Sequence, residues 1–456
     1  MTSTATSPAT TSIRPSAHFT ARRSWLNDPN GLLFHDGVYH LFFQTNPSGS
    51  TWGNISWGHA TSTDLVTWTE RDIAIPHTED EMAFSGSAVV DAHNTAGFAG
   101  PGETALVAIY TAAAHPGSGR TTQAQSLAFS VDAGETWTRY AGNPVLDIGS
   151  SEFRDPKVFW YGGDDGHWVM AVVAATEHRV LFYTSPDLIS WTKTSQFGPA
   201  HATGGVWECP DLFPLTVAET GETRWVLIVS LNPGGIAGGS GTQYFLGDFD
   251  GTTFTPERIV ESDDLADFDW VDYGHDYYAA VSFANVPDGR RLMVGWASNW
   301  LYAEETPTGP WRSAMSLVRE MSLVRRADGR LALAQAPVLP AAPSMLRAHR
   351  FSAPRGGGRT TASLSNASGE EFVVTVDADA RVIACDRGAS GDTGFHAEFR
   401  AVARAPLPAG VGDVELLIVA DGTVVEVFAA GGTVCLTEQV FPSAPYNRFE
   451  VRHTAE

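Results

Sequence analysis

Ser62-Thr63-Asp64-Leu65-Val66-Thr67-Trp68-Thr69 returns as Ser185-Pro186-Asp187-Leu188-Ile189-Ser190-Trp191-Thr192, and more loosely as Ser130-Val131-Asp132-Ala133-Gly134-Glu135-Thr136-Trp137-Thr138. Each copy reads as a tight turn followed by an outer strand. A second element repeats with it. Asp28-Pro29 leads into Gly31-Leu32-Leu33-Phe34, Asp155-Pro156 into Val158-Phe159-Trp160, and Glu208-Cys209-Pro210-Asp211 into Leu212-Phe213. Repeated strand units that close radially describe a β-propeller, and the spacing leaves room for five blades between residues 20 and 336. Short alternating runs at 37–43, 168–173, 224–229 and 291–296 supply further strands, whereas no long window shows helical periodicity. The Pro-rich stretch Ala336-Pro337-Val338-Leu339-Pro340-Ala341-Ala342-Pro343 marks a linker over 337–344. Residues 345–456 have the size and strand content of a β-sandwich. The expected architecture is all-β: a flexible N-terminus over 1–19, a five-bladed propeller over 20–336 and a C-terminal sandwich.

Composition narrows the partners. The 456 residues carry 29 Lys plus Arg against 52 Asp plus Glu, a formal charge of −23. Nucleic acid and anionic membranes are polyanions that need a basic patch, so a neutral substrate fits better. Hydrophobic residues at 43% and charged residues at 18% describe an ordinary folded core. Cys209, Cys385 and Cys435 are too few and too scattered for a disulfide scaffold or a zinc site, which points to a reducing compartment. The first dozen residues show no secretory signal, so the expected location is the cytoplasm. No stretch reaches the roughly 18 apolar residues of a membrane span. The 14 His show no metal-ligand spacing, and no metal or cofactor is expected.

Three acids hold equivalent places in the second repeat: Asp28 in Trp25-Leu26-Asn27-Asp28-Pro29-Asn30-Gly31, Asp155 in Phe153-Arg154-Asp155-Pro156, and Glu208 in Trp207-Glu208-Cys209-Pro210-Asp211. Taken alone, Asn27 to Gly31 is a turn signal, Asp155 beside Arg154 is an ion pair, and Glu208 says little. Their recurrence ahead of three innermost strands changes the reading. In a propeller such positions converge on one funnel, and paired carboxylates are what glycosidic bond cleavage needs.

Five ordered motifs then carry a family resemblance: 25–31, Phe84-Ser85-Gly86-Ser87, 153–156, 207–211 and Trp311-Arg312-Ser313-Ala314-Met315-Ser316. The set resembles glycoside hydrolase family 32, the β-fructosidases, and the stretches 238–244 and 270–276 resemble its levanase and exo-inulinase branch. The resemblance implies a retaining double displacement on a terminal β-fructofuranosyl unit of a fructan, fructooligosaccharide or sucrose. It implies Asp28 as nucleophile, Glu208 as general acid/base and Asp155 as transition-state stabiliser. It also assigns the sugar pocket to Trp25, Asn27, Gln44, Trp52, Phe84, Ser85, Arg154 and Trp296. Trp52, Phe84 and Trp296 would be apolar walls, and Arg154 would keep Asp155 ionised. Burial and two carboxylate neighbours would favour the protonated form that an acid catalyst needs at Glu208. Two departures, Thr45 after Gln44 and Ala297 after Trp296, are expected to widen the entrance. The alternatives are a fructosyltransferase using the same acids, an inverting arabinan hydrolase and a non-catalytic carbohydrate-binding propeller.

Overall fold

The computed structural model describes residues 13–455 except 120, 342–344, 409 and 411. Among these residues twenty strands form five successive four-stranded antiparallel sheets, and nine more form two further sheets. The five-bladed propeller and the sandwich read from the sequence are both present.

The blades stack because their strands are apolar on both faces. In His167–Ala174, Val169, Ala171 and Val173 pack with Trp207, Leu227 and Val229 of the following blade. The alternate residues Met170, Val172 and Ala174 pack with Val107, Ile109 and Leu127 of the preceding blade. Side chains point alternately to the two faces of a strand, so one continuous apolar run serves two cores.

The innermost strands are Trp25–His35, Glu81–Asp91, Phe153–Tyr161, Val206–Thr216 and Tyr278–Ser282. Each packs on the next, and the fifth returns to the first. Two backbone bonds close the ring: Phe34 N–H donates to the Ala284 carbonyl at 3.0 Å and Ala284 N–H to that of Leu32 at 2.8 Å.

The turn repeat keeps one Ser–Asp hydrogen bond in three blades. The Ser62, Ser130 and Ser185 hydroxyls donate to Asp64, Asp132 and Asp187 at 3.0, 2.7 and 3.0 Å. The residue after each Asp is left-handed, with φ of 67° at Leu65, 55° at Ala133 and 64° at Leu188. A fourth copy, Asp250-Gly251-Thr252-Thr253-Phe254, was not legible as a repeat because it lacks the leading Ser and the Trp. Its Asp250 still accepts from the Thr252 and Thr253 amides, both at 2.8 Å, and Gly251 supplies the left-handed residue at φ 97°.

Behind the propeller lie two sandwich sheets, one of Arg347–Ala353, Val414–Asp421, Val424–Ala429 and Val434–Gln439, the other of five strands from Arg359–Ser365 to Arg448–Thr454. The interface is heavily charged. Arg319 of blade five is 0% exposed and donates to Asp272 at 2.9 Å and to Glu426 of the sandwich at 2.8 Å. It also lies over the Tyr277 ring at 4.1 Å. His275 Nδ1 sits 2.8 Å from Glu438, and Asp276 pairs with Arg387 of the sandwich. The stretch 270–276 therefore serves the domain junction.

Part of the N-terminal segment expected to be flexible is packed: residues 16–18 lie against the sandwich, Phe19 lies against Phe43 and Trp68 of the propeller, and residues 1–12 lie outside the described residues. Asp421 accepts from the Ser16, Ala17 and His18 amides, and Phe19 is buried. The buried His18 ring bridges two carboxylates, with Nδ1 2.9 Å from Asp421 and Nε2 3.1 Å from Glu426. Burial opposes its charging, but the hydrogen bonds and charges of Asp421 and Glu426 outweigh it and raise the imidazole to about 9. The folded state thus holds this proton more tightly than the unfolded chain, whose His titrates near 6.5. The resulting stabilisation is complete below about pH 6.5 and disappears as the pH rises through about 9. Thermal unfolding should show His18→Gln well below wild type at pH 6, with the gap narrowing by pH 10. A gap that widens with pH would contradict this role.

Candidate active site

All five inner strands carry a register irregularity near the entry to the ring, and the site is built on those irregularities. Pairing skips between Leu26 and Pro29, Phe84 and Gly86, Arg154 and Lys157, Glu208 and Asp211, and Tyr278 and Val281. Asn27-Asp28, Ser85, Asp155-Pro156, Cys209-Pro210 and Ala279-Ala280 are the skipped residues. A bulge re-aims side chains and ends regular pairing. Three of the bulges contain a left-handed residue: Asp155 at φ 65°, Cys209 at 47° and Ala279 at 53°. The segment from Asn27 to Gly31 is thus a bulged strand instead of the turn its letters signal, with Gly31 at φ 52° against Phe42 and Trp57, where a Cβ would collide.

The bulges bring the three acids together. Ser85 Oγ donates to Asp28 Oδ2 at 2.6 Å, and Asn27 Nδ2 donates to Asp28 Oδ1 at 3.0 Å. The Cys209 amide donates to Asp155 Oδ2 at 2.9 Å, while its thiol lies 3.6 Å from both Asp28 and Asp155. Cys209 is thus wedged between two of the acids. Burial and their negative charge push this thiol well above its usual range, so it stays neutral and filler-like. Asp155 is 6% exposed, and Thr111 Oγ1 accepts from its backbone amide at 2.9 Å.

Arg154 favours the ionised form of Asp155 by its charge alone, not by a hydrogen bond. Its Nε donates to Glu208 Oε1 at 3.1 Å and its Nη1 to Glu152 at 2.7 Å, and no hydrogen bond runs to Asp155. Burial outweighs the attraction of Arg154 at Asp155, and with Glu208 and Asp28 nearby this carboxyl is held well above the usual range. Nor is Glu208 the buried acid of the trio: its side chain keeps 22% of its exposure. Its second oxygen accepts from the Tyr278 hydroxyl. Tyr278, Glu152, Thr111 and Gln123, which takes a further Arg154 bond at 3.2 Å, were not found by sequence reasoning. No repeat or motif marks them.

Burial also pushes Asp28 above the ordinary carboxylate range; the Ser85 hydroxyl pulls it back, and the charge of Glu208 adds to the rise.

The remaining pocket residues divide into rim and support. Trp52 is 39% exposed and meets Phe84 edge to face, ring centres 5.9 Å apart; both stand at the rim. Trp25 and Trp296 are both 0% exposed. Trp25 supports the site through Nε1–H donating to Asn27 Oδ1 at 2.8 Å, and Gln44 is spent on the Ala83 carbonyl at 3.1 Å. Trp296, expected as a wall, lies behind Trp25 and Trp300, with ring centres 6.0 and 4.9 Å away. Trp300, half-buried, is the outermost of that stack. The two departures do not widen the mouth. Thr45 is buried with its hydroxyl on the Trp25 carbonyl at 2.7 Å, and Ala297 packs with Ala314 and Val424 toward the sandwich.

Among the described residues no group of three or more His, Cys, Asp or Glu is arranged to hold a metal ion. Three carboxyls, one guanidinium and a phenol at the mouth of a five-bladed ring form an acid/base centre for a neutral, hydroxyl-rich substrate.

Known proteins resemble this chain in sequence and fold. The chain is 41% identical to the extracellular exo-inulinase of Aspergillus ficuum over 93% of its length and 89% of that protein. It is 42% identical to the levanase of Bacillus subtilis (strain 168), over 94% of the chain and 66% of that protein. The crystal structure of exo-inulinase from Aspergillus awamori superposes with a TM-score of 0.87 at 39% identity, covering 97% of this chain and 96% of that one. The N-terminal domain of glycosyl hydrolases family 32 matches residues 18–337 and the C-terminal domain of that family matches 345–456. With both domains matched end to end, this chain belongs to glycosyl hydrolases family 32.

Proposed function

We propose that the protein is a retaining exo-β-fructosidase that releases fructose from the ends of levan- or inulin-type fructans, fructooligosaccharides or sucrose. The observation that carries the reading is the convergence of Asp28, Asp155 and Glu208 from three inner-strand bulges, with separate environments for each. Asp28, fixed by Ser85 and Asn27, attacks C2 of the fructofuranosyl unit. The bond from C2 to the leaving oxygen breaks, and that oxygen takes the proton carried by Glu208. In the second step Glu208, now a carboxylate, accepts a proton from water. The water oxygen attacks C2 and Asp28 leaves as carboxylate. Asp155 accepts hydrogen bonds from sugar hydroxyls. Arg154 and Tyr278 hold the Glu208 carboxylate in the period between giving and regaining its proton.

Incubation with levan, inulin, sucrose and 1-kestose, followed chromatographically over time, tests this. Free fructose accumulating from the start is the expected result. Oligosaccharides longer than the substrate as the main early product would favour transfer, and no conversion of any of the four would refute the proposal.

Ser85→Ala tests the environment of Asp28. The nucleophile must be ionised, and the Ser85 hydroxyl is the strongest influence opposing the burial that protonates it. The acid limb of kcat/KM should move to higher pH, with a loss of about tenfold or more on the acidic side, the size expected for a hydrogen bond to a charged group. An unshifted limb would remove Ser85 from this role.

A further inference from the structure

The chain contains only two lysines, Lys157 and Lys193, against a total of 29 Lys plus Arg. Lys193 is exposed; Lys157 is buried at the propeller axis, two residues beyond Asp155 on its strand. Its ammonium donates to Asp211 Oδ2 at 3.1 Å, to the Ser282 carbonyl at 2.7 Å and to Ser282 Oγ at 3.3 Å. Asp211 Oδ2 also accepts from the Ser282 amide at 2.5 Å. Asp211 and Ser282 are 0% and 1% exposed.

The placement of the three residues is not arbitrary. Lys157 is the first paired residue after the Asp155-Pro156 bulge and Asp211 the first after the Cys209-Pro210 bulge. Ser282 follows Val281, the first paired residue after the Ala279-Ala280 bulge. On the far side of those same bulges stand Arg154, Glu208 and Tyr278, which are bonded to one another around Glu208. One compact cluster thus ties together the bases of three bulges whose tips carry the groups around the proposed acid. A compact ammonium with three donors suits these three acceptors, whereas a planar guanidinium needs a wider fork.

We infer that Lys157, with Asp211 and Ser282, is a positioning cluster that sets where Glu208 stands relative to the leaving group. The inference rests on the acid role proposed for Glu208. Displacing a catalytic group by about 1 Å can lower rates by about 10²-fold without touching the substrate.

The test compares two substrates. Sucrose needs its leaving oxygen protonated, whereas p-nitrophenyl β-D-fructofuranoside carries a leaving group that departs as the anion. The double variant Lys157→Met/Asp211→Asn removes both charges together, and the neighbouring Arg291 keeps its bonds to the Phe283 carbonyl at 3.3 Å and Ser282 Oγ at 3.5 Å. With melting temperature checked, kcat/KM on sucrose should fall about 10- to 100-fold and that on the aryl fructoside by no more than about threefold. Equal losses on the two substrates would overturn the inference, as a merely structural role predicts, and so would near-normal activity on both. Should the double variant not fold, Asp211→Asn alone, which still accepts from the Ser282 amide, carries the same comparison. Lys157→Arg should show the same imbalance, since the charge alone is not the device. Near-normal activity of Glu208→Ala on sucrose would instead remove the acid role itself, so the two failures are distinguishable.

Discussion

Asp28→Ala is expected to lower kcat on sucrose or a fructan by about 10⁴-fold or more, the scale seen when a covalent nucleophile is deleted. Nothing in the site replaces it. Asp155 is held by the Cys209 amide and lies in the next bulged strand but one, and Glu208 is committed to Arg154 and Tyr278. Folding should be intact, because the Asp28 side chain is bonded to Ser85, Asn27 and the Cys209 thiol alone, while Trp25 and Asn27 keep their own contact. Steady-state rates, with circular dichroism and melting temperature as controls, measure this. Asp155→Asn should also be severely impaired. A mild loss there would make it a binding residue only. Near-normal turnover of Asp28→Ala would end the proposed mechanism.

Arg319→Met should destabilise the protein by about 3–5 kcal/mol, the range for removing one partner of a buried ion pair. Here the loss leaves Asp272 in a junction without solvent and without its cation, with only the Thr437 hydroxyl at 2.7 Å and backbone amides, and leaves Glu426 with His18 as its remaining cation. Burial already pushes Asp272 above its usual range, and Arg319 is the largest influence opposing it. The triple change Arg319→Met/Asp272→Asn/Glu426→Gln leaves no buried charge at that point except the His18 side and should recover much of the loss. Denaturant unfolding of the three proteins reads this out. An Arg319→Met variant as stable as wild type would show that the charged junction contributes nothing to holding propeller and sandwich together.

The fold was legible because propellers repeat themselves. The Ser–Asp turn recurs with the same Ser hydroxyl bond to Asp in three blades, and the Asp250 copy escaped, since glycine and phenylalanine do there what other residues do elsewhere. The three acids were legible for the same reason, as equivalent letters ahead of equivalent strands. Contacts between distant, unrepeated residues were not. Tyr278 reaches Glu208 across 70 positions and Arg319 reaches Glu426 across 107, and nothing in either local sequence announces the partner. Glu426 receives both Arg319 and His18 in the folded protein, and its own neighbours in the chain mark neither contact. Side-chain direction was the other hidden quantity. Trp296, Thr45 and Ala297 sit near the pocket in sequence, yet each turns its side chain away from the mouth. Arg154 adjoins Asp155 in the chain, but a bulge with Asp155 left-handed sends the guanidinium to Glu208.

The central claim is a covalent fructosyl-enzyme on Asp28, and it has a direct measurement. The enzyme is mixed with excess sucrose, quenched in acid within the first turnovers, digested and examined by peptide mass spectrometry. A single anhydrofructose added to the peptide containing Asp28, absent from Asp28→Ala, is the predicted result. The label on the peptide of Asp155 or Glu208, or turnover with no labelled peptide and inversion at C2 of the released fructose, would contradict the account.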